Sequence, residues 1–251
     1  MIKLFKVSFF WVVCVLPINL YAAVQLEVQN NNFKEIIWSN GSSLHVKSDN
    51  EPGYILVNTS QRQLFTINDN DRQVINLSDK IKQAPVIPEM EGVSIEYIRH
   101  GAGPIMQGLD TELYLLKVNG EICRSEYLTN IDTELVDVLS GLELMTEYRI
   151  STAFASMPAQ LDLCFVAEHL SYQRYRKHGF PMKSENQFGK TEFELLSINR
   201  DIPSPSNKFA LPEGYSVISY EEMMESSGIV PSNGSNEMHP PAISKEIFPH
   251  K

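Results

Sequence analysis

The sequence predicts an α+β protein in which a strongly curved antiparallel sheet, forming an incomplete barrel, packs on two helices. Three observations support this prediction. From Val24 to Ser78, short runs of Ile, Val, Leu and aromatic residues alternate with clusters of Asn, Asp and Gly, which is typical of an antiparallel meander. A hairpin signal lies near the middle of the chain. After Thr129 the apolar spacing changes to the helical period.

The meander supplies the first group of predicted strands. Four consecutive residues, Tyr54 to Val57, are apolar or aromatic, so we expect that strand to be covered on both faces. Residues 79–92, which contain Pro85, Pro88 and Gly92, indicate a crossing loop or a short helix before a further strand. The predicted strands in this part of the chain are 34–39, 43–48, 53–59, 62–67, 72–77 and 93–99.

The hairpin is the clearest local signal. Asn119-Gly120 is a residue pair preferred in two-residue type I′ loops, and strand-like runs lie on both sides of it, at 111–118 and 121–128. In a regular hairpin Leu116 faces Cys123. Since side chains alternate along a strand, the pattern predicts one shared face that carries Tyr114, Leu116, Cys123 and Tyr127.

Two helices follow. The first is predicted by an apolar stripe at i, i+3, i+4, i+7 and i+10, made of Leu135, Val138, Leu139, Leu142 and Met145. The second is predicted over 160–178, because Gly179 and Pro181 follow it as stop signals. Its last turns carry cations that complement the helix dipole or, alternatively, bind an anionic partner: Arg174, Arg176 and Lys177. Strands are then predicted at 180–184 and 191–198 and at the end of 208–219.

The N-terminus has the pattern of a secretory signal peptide. Lys3 and Lys6 precede an apolar run, 7–16, and the small residues Ala22 and Ala23 follow. The run is shorter than the ~20 residues that a membrane-spanning helix needs. We therefore predict cleavage near Ala22 or Ala23 and a periplasmic location. The predicted organisation is a signal peptide over 1–22, a single domain over 23–226 and a disordered polar tail over 227–251.

Composition narrows the class of protein. The chain has 251 residues, 43% hydrophobic and 21% charged, and is long enough to bury one sizeable core. It contains 21 Lys and Arg residues and 31 Asp and Glu residues, so its formal net charge is −10. This balance lacks the basic footprint of a nucleic-acid-binding protein.

The cysteines predict one covalent link. Cys14 lies in the signal peptide, so Cys123 and Cys164 remain in the exported chain. An even count in an exported protein indicates a disulfide. The alternatives are a redox-active pair or two free buried thiols. Catalytic dithiols lie close together in sequence, as in C-x-x-C, whereas these two are far apart.

Catalytic motifs are missing from the sequence. It contains no H-E-x-x-H, no C-x-x-C and no G-x-S-x-G. The like charges of Glu143 and Glu147 at i, i+4 indicate a water-facing helix surface. Glu168, His169 and His178 are residue types that bind metals, but their spacing favours a solvated helix face. We therefore predict a protein that is not an enzyme and has neither a cofactor nor a metal site.

The order of the motifs resembles a known group. A meander of the type GYILVNTSQRQLFTINDNDRQVINL precedes G-x-G-P-x-x-x-G, then V-N-G-x-x-C, H-G-F-P-M and F-A-L-P-E-G-Y, and together these span residues 24–225. This resembles exported bacterial proteins of unknown function that are distantly similar to the periplasmic lipoprotein carriers and their outer-membrane receptor. The resemblance implies a lipoprotein-carrier-like fold, with an apolar cavity between sheet and helices that holds acyl chains.

Two functional hypotheses follow. The first is a non-enzymatic periplasmic binding protein for a lipid or other hydrophobic small molecule held between the sheet and the helices. Its predicted ligand-binding residues are Tyr114, Leu116, Leu135, Val138, Leu142 and Met145. The second is an envelope protein-interaction or stress-sensing module with a filled core and no small-molecule ligand. A filled core would use the same apolar residues for packing alone.

Overall fold

The computed structural model describes residues 22–82, 92–153, 162–203 and 206–226. In these residues twelve strands form one sheet, in the order β12-β6-β5-β4-β3-β2-β1-β11-β10-β9-β8-β7. The strands are β1 (Ala22–Asn30), β2 (Phe33–Ser39), β3 (Ser43–Ser48), β4 (Gly53–Asn58), β5 (Gln63–Asn68), β6 (Gln73–Asn76), β7 (Ile95–Ala102), β8 (Glu112–Val118), β9 (Glu121–Thr129), β10 (Phe180–Asn186), β11 (Thr191–Pro203) and β12 (Ser216–Ser219).

Pairing within the sheet is antiparallel except at one edge. There β12 runs parallel to β6, with Val217 opposite Val74. Among the described residues the two edge strands, β7 and β12, do not pair with each other, so the sheet is open. The predicted antiparallel meander is therefore present, inside a larger sheet that also takes in the predicted hairpin and the later strands.

The helices are short, apart from one. The long helix crosses the sheet, with contacts to β2, β3 and β4 and to β10. A cap at Asp132 starts it, where Oδ1 accepts a hydrogen bond from the Leu135 backbone N–H at 3.0 Å. The helices are α1 (Ser78–Lys82), α2 (Thr133–Ala153), α3 (Leu163–Leu170), α4 (Arg174–His178) and α5 (Tyr220–Ser226), with a 3-10 turn at Ser206–Phe209.

The main core lies between α2 and the sheet. Leu135, Val138 and Leu139 are at most 2% exposed, and they pack with buried residues of β1–β5, β10 and β11. Gly141 allows the closest approach, since a Cβ at this position would lie 2.3 Å from Leu44 Cδ1. The apolar stripe predicted for the first helix is thus the face that packs on the sheet.

The opposite face of the meander carries a smaller aromatic cluster. His45 is 7% exposed, stacks on Tyr54 with 4.4 Å between ring centroids, and meets Trp38 edge-on at 5.0 Å. Lys208, in the 3-10 turn, lies over the Trp38 ring at 3.2 Å from its centroid. The chain from 206 to 226 therefore covers part of this face, as the apolar character of both sides of β4 predicts.

The hairpin forms with one departure from the prediction. Asn119 and Gly120 have φ of 51° and 86°, as a type I′ loop requires. A β-bulge then shifts the register, so that Leu116 pairs with Arg124 instead of Cys123. As a result Glu126 lies opposite Tyr114, and Tyr127 pairs with Leu113 and so lies on the other face. The prediction that Tyr127 shares the face of Tyr114 was wrong.

The second predicted helix is broken. Helix α3 ends at Leu170, residues 171–173 form a turn, and α4 starts at Arg174. The Arg174 guanidinium stabilises the break, because its Nη1 donates to the backbone carbonyls of Glu168 and Ser171, at 3.1 and 3.0 Å. It therefore satisfies carbonyls at the C-terminus of α3 that have no intrahelical partner.

The predicted disulfide is present. Cys123 on β9 and Cys164 on α3 are bonded, with 5.2 Å between their Cα atoms. Around the bond, Leu116, Val118 and Ala167 form a small buried cluster that fixes α3 to the hairpin. The predicted signal peptide, apart from Ala22, and the predicted tail, 227–251, lie outside the described residues.

Candidate functional site

A buried ion pair lies at the junction of the hairpin and α4. Glu126, on β9, is 0% exposed, and its carboxylate accepts hydrogen bonds from Arg174 Nε at 2.9 Å and Nη2 at 2.5 Å. Two phenols complete it, since Tyr97 and Tyr175 each donate to Glu126 at 2.6 Å. These four residues are called the Glu126 cluster below.

The cluster keeps its carboxylate ionised. Burial by itself raises the pKa of Glu126, but the adjacent Arg174 guanidinium and its hydrogen bonds lower that pKa to about 2. Burial and the same carboxylate raise the pKa of Tyr97. The result is a fully hydrogen-bonded charge pair, the condition under which buried ions are tolerated.

A second charged cluster lies beside the first. Arg124 binds Glu168 through two parallel hydrogen bonds of 2.8 Å, from Nε and Nη2, and Nη2 also binds Glu192 at 2.5 Å. Its Nη1 donates to Ser184 Oγ at 3.2 Å. Arg124 reaches this position because the bulge at Cys123 turns it to the helix side of the sheet. Bidentate pairing of this kind fixes the orientation of the guanidinium.

A cavity of about 570 Å³ opens beside these clusters, between α2, α3 and the sheet. One face of α2 forms a wall at helical spacing: Leu139, Leu142, Glu143, Thr146 and Arg149. The facing side of α3 and the turn after it supply Phe165, Glu168, His169 and Tyr172. The rest of the lining includes Arg124, Glu192 and Phe193 from the strands. Charged and aromatic side chains therefore share the wall.

Glu143, one of these charged groups, has an oxygen without a hydrogen-bond partner. It is 5% exposed, and its Oε2 accepts a hydrogen bond from Arg176 Nε. Its Oε1 is buried and has no hydrogen-bond partner in the described part of the chain. Burial raises the pKa of Glu143, an effect that Arg176 opposes. The interpretation of Glu143 as water-facing was therefore wrong, because α4 covers this side of α2.

Burial also shifts the pKa values of Arg149 and of Glu35, a carboxyl that interacts with it. Arg149 lines the wall, and burial lowers its pKa to about 10. Glu35, on β2, interacts electrostatically with Arg149, and burial raises the pKa of this carboxyl to about 7. A hydrogen bond from Asn30, which also lines the cavity, acts in the opposite direction.

The predicted ligand-binding residues lie in four different surroundings. Leu142 lines the cavity. Leu135, Val138 and Met145 pack in the main core, and Leu116 packs around the disulfide. Tyr114, 7% exposed, stacks on Tyr97 with 5.1 Å between ring centroids. The structure thus does not bring the six together around one space.

Glu168, His169 and His178, the candidate metal ligands, each contact different partners. Glu168 binds Arg124, and the Nδ1 of His169 lies 2.6 Å from the Phe165 carbonyl oxygen. His178 packs on the Tyr97 and Tyr114 rings at 5.1 Å. With His169 only 6% exposed, the interpretation of this side of α3 as solvated was also wrong.

The sequence carried a weak signal for the charged wall. Glu143, Thr146 and Arg149 follow a helical spacing next to the apolar stripe of α2, but polar residues there are the ordinary sign of an exposed face. The cover supplied by α3 and α4 decides their burial, and such a long-range contact leaves no local pattern. None of the described helices is both long and apolar enough to cross a membrane.

Comparisons with known proteins leave the family open. No protein-family model matches the chain, and no curated protein matches it. Among solved structures, PNGF-II in space group C2 is similar at a TM-score of 0.39 and 10% identity, over 83% of this chain and 32% of that one. MucB is similar at 0.35 and 10%, over 79% and 60%. The Pseudomonas aeruginosa MucA/MucB complex is similar at 0.36 and 9%, over 80% and 60%.

This chain therefore spans about a third of PNGF-II and three fifths of MucB. All three TM-scores are below 0.5, and structural similarity this weak identifies neither the fold family nor the function of this chain. The lipoprotein-carrier resemblance stays a prediction.

Proposed function

We propose that the protein is a non-enzymatic, exported binding module that holds a small polar ligand in the cavity between α2, α3 and the sheet. The observation that carries this proposal is the cavity wall, where buried and partly buried Arg and Glu side chains lie among Phe and Tyr. Concave sites with apolar surface and a few convergent polar groups are the usual form of small-molecule sites.

The wall favours a polar ligand over an acyl chain. Glu143, Glu168 and Arg149 line the space, and covering such groups with methylene groups removes solvation without supplying hydrogen bonds. A ligand with hydroxyl, amide or charged groups and a compact apolar or ring portion fits this lining. The acyl ligand implied by the family resemblance is the alternative that the experiment distinguishes.

Native mass spectrometry of the protein, purified without denaturant from the cells that make it, tests the proposal. We expect an extra mass that is lost on denaturation and that behaves as a water-soluble compound in chromatography. An extracted lipid would instead support the carrier hypothesis. A bare polypeptide that also fails to bind any member of a polar metabolite library would contradict the binding function.

A matched pair of variants locates the ligand. Leu142→Trp fills the cavity wall, whereas Val136→Trp places the same ring on the exposed side of the same helix, where Val136 is 46% exposed. We expect Leu142→Trp to lose the bound mass and Val136→Trp to keep it. Equal retention by both variants would place the ligand outside this cavity.

A protein-interaction function is the second candidate, because the β7 edge is accessible. In the described residues β7 pairs with β8 alone, so one side of its backbone offers hydrogen bonds to another chain. Ile98 and Ile122 are 41% and 45% exposed and share a face of the sheet, since their partners Leu115 and Lys117 lie two residues apart on β8. In-cell crosslinking from position 98 tests it, and one dominant crosslinked protein is the expected result.

A further inference from the structure

The unpartnered oxygen of Glu143 lacks a hydrogen-bond donor, and a ligand in the cavity is the natural source of one. One carboxylate oxygen is bound by Arg176, and the other is buried beside the cavity with no hydrogen-bond partner among the described residues. A buried acceptor without a donor costs free energy. A donor that enters the cavity removes that cost.

Nearby protein donors are already used. Thr146, one turn further along α2, donates its hydroxyl to the Leu142 carbonyl at 2.9 Å. Tyr172, on the opposite wall, donates to Glu147 Oε1 at 3.3 Å. Neither hydroxyl can donate a hydrogen bond to Glu143 without losing its present one, because each has a single proton.

The local charge favours a cation over a neutral donor. Glu143 and Glu147 lie one turn apart on α2, and Glu147 acts on Glu143 as a like charge. Their guanidinium partners, Arg176 and Arg62, each have a side chain that is 60% exposed. Water screens these outer cations, whereas the Glu143 carboxylate is buried, so Glu143 places a negative charge on this part of the cavity wall.

We infer that the ligand carries a cationic N–H donor, such as a primary ammonium group, that binds Glu143 Oε1. This inference rests on the proposed function. The rings of Phe165, Tyr172 and Phe193 line the same space and supply surface for the rest of the molecule. The ligand class is thus a small amine with an apolar or ring-shaped portion.

Phenethylamine and phenethyl alcohol test the inference as matched probes, because they differ only in the charged group. Isothermal titration calorimetry of the full protein at neutral pH should show the amine binding about tenfold more tightly, as expected for one charge-assisted hydrogen bond. In Glu143→Gln the two affinities should become equal, with the affinity for the alcohol retained. Glu134→Gln, at the start of the same helix, is the control and should keep the preference, because Glu134 pairs with Arg200 and neither residue lines the cavity.

Three other outcomes would each contradict a different part of this inference. Equal affinities of the wild type for both probes contradict the ammonium preference but leave a polar-ligand site standing. A preference that survives in Glu143→Gln contradicts the role of Glu143. Binding of neither probe contradicts the amine class, while the mass-spectrometry experiment decides the binding function separately. Loss of both probes in Leu142→Trp confirms that binding occurs in the cavity.

Discussion

Glu126 and Arg174 are 48 positions apart in sequence, and their side chains form a buried ion pair whose shortest contact is 2.5 Å. Glu126 lies on β9 and Arg174 starts α4. The pair therefore joins the hairpin to the helical layer, close to the disulfide between the same two parts of the fold. Covalent and ionic links together hold the wall of the cavity in place.

Replacing Glu126 with Gln should destabilise the protein strongly. The substitution keeps the size of the side chain but leaves Arg174 buried beside a neutral amide. The expected loss is about 3 kcal/mol in the free energy of unfolding, measured by urea denaturation. Glu112→Gln is the control, because Glu112 binds Arg99 at the surface, and we expect no measurable change there. A Glu126→Gln protein as stable as the control would mean that the pair contributes no net stability.

Removing the disulfide should also destabilise the fold. Cys123 and Cys164 are 41 residues apart, and closing such a loop stabilises a protein by roughly 3–4 kcal/mol on the chain-entropy model. The double variant Cys123→Ala/Cys164→Ala should lose this amount in urea denaturation. Added reductant should shift the wild type by the same amount and leave the double variant unchanged. If reductant also destabilised the double variant, the effect of reductant on the wild type could not be assigned to this disulfide.

Glu35 should make the protein less stable as the pH rises towards 7. Burial raises its pKa from 4.5 to about 7, so the folded state holds the proton more tightly than the unfolded state does. Its stabilising contribution is complete below the unfolded pKa and is lost as the pH rises through the folded pKa. Glu35→Gln should remove about 3 kcal/mol of this loss between pH 4.5 and 8.

Chemical denaturation over that pH range measures the effect of Glu35. Glu96→Gln, at an exposed position on β7, removes the same charge and should leave the pH profile of the wild type unchanged. His45 acts in the opposite direction over the acid part of this interval, so the test is the difference between the two proteins. A Glu35→Gln protein with the same pH dependence as the wild type, over about three decades in proton concentration, would contradict the prediction.

His45 should make the protein sensitive to acid. Burial, with a smaller contribution from Lys208, lowers the pKa of His45 from 6.5 to about 4. The unfolded state therefore binds the proton first, and stability falls as the pH drops from 6.5 towards 4, by about 3 kcal/mol in total. His45→Phe keeps an aromatic ring between Trp38 and Tyr54 and should remove this contribution, so on acidification its free energy of unfolding should fall less than that of the wild type. His100→Gln, at an exposed position, should not.

The elements were largely predictable from local patterns. The Asn119-Gly120 loop, the alternating runs of the meander and the apolar stripe of α2 each depend on neighbours in sequence, and each is present in the structure. The pairing of Cys123 with Cys164 follows from their number alone. The end of α4 at Gly179 also agrees with its stop signal.

The cavity was less predictable, for a specific physical reason. One bulged residue, Cys123, reverses the alternation of β9 and brings Arg124 and Glu126 to the helix side. Arg174 looks like an ordinary cation at a helix C-terminus until a partner on a distant strand buries it. Register shifts and long-range ion pairs leave no periodic trace in the sequence, so the charged wall was missed and an apolar one was expected.

The position of β1 in the sheet has a consequence for the order of folding. The first described strand lies in the interior of the sheet, between β2 and β11, and Ala22 pairs with Pro203, 181 positions later. Contacts between such distant residues make folding slow, because a long loop must close before they form. The meander and the hairpin half can each assemble from neighbouring strands, but β1 and β11 join them only after residue 203 has been synthesised. A nascent chain therefore keeps both halves separate until β11 has been synthesised.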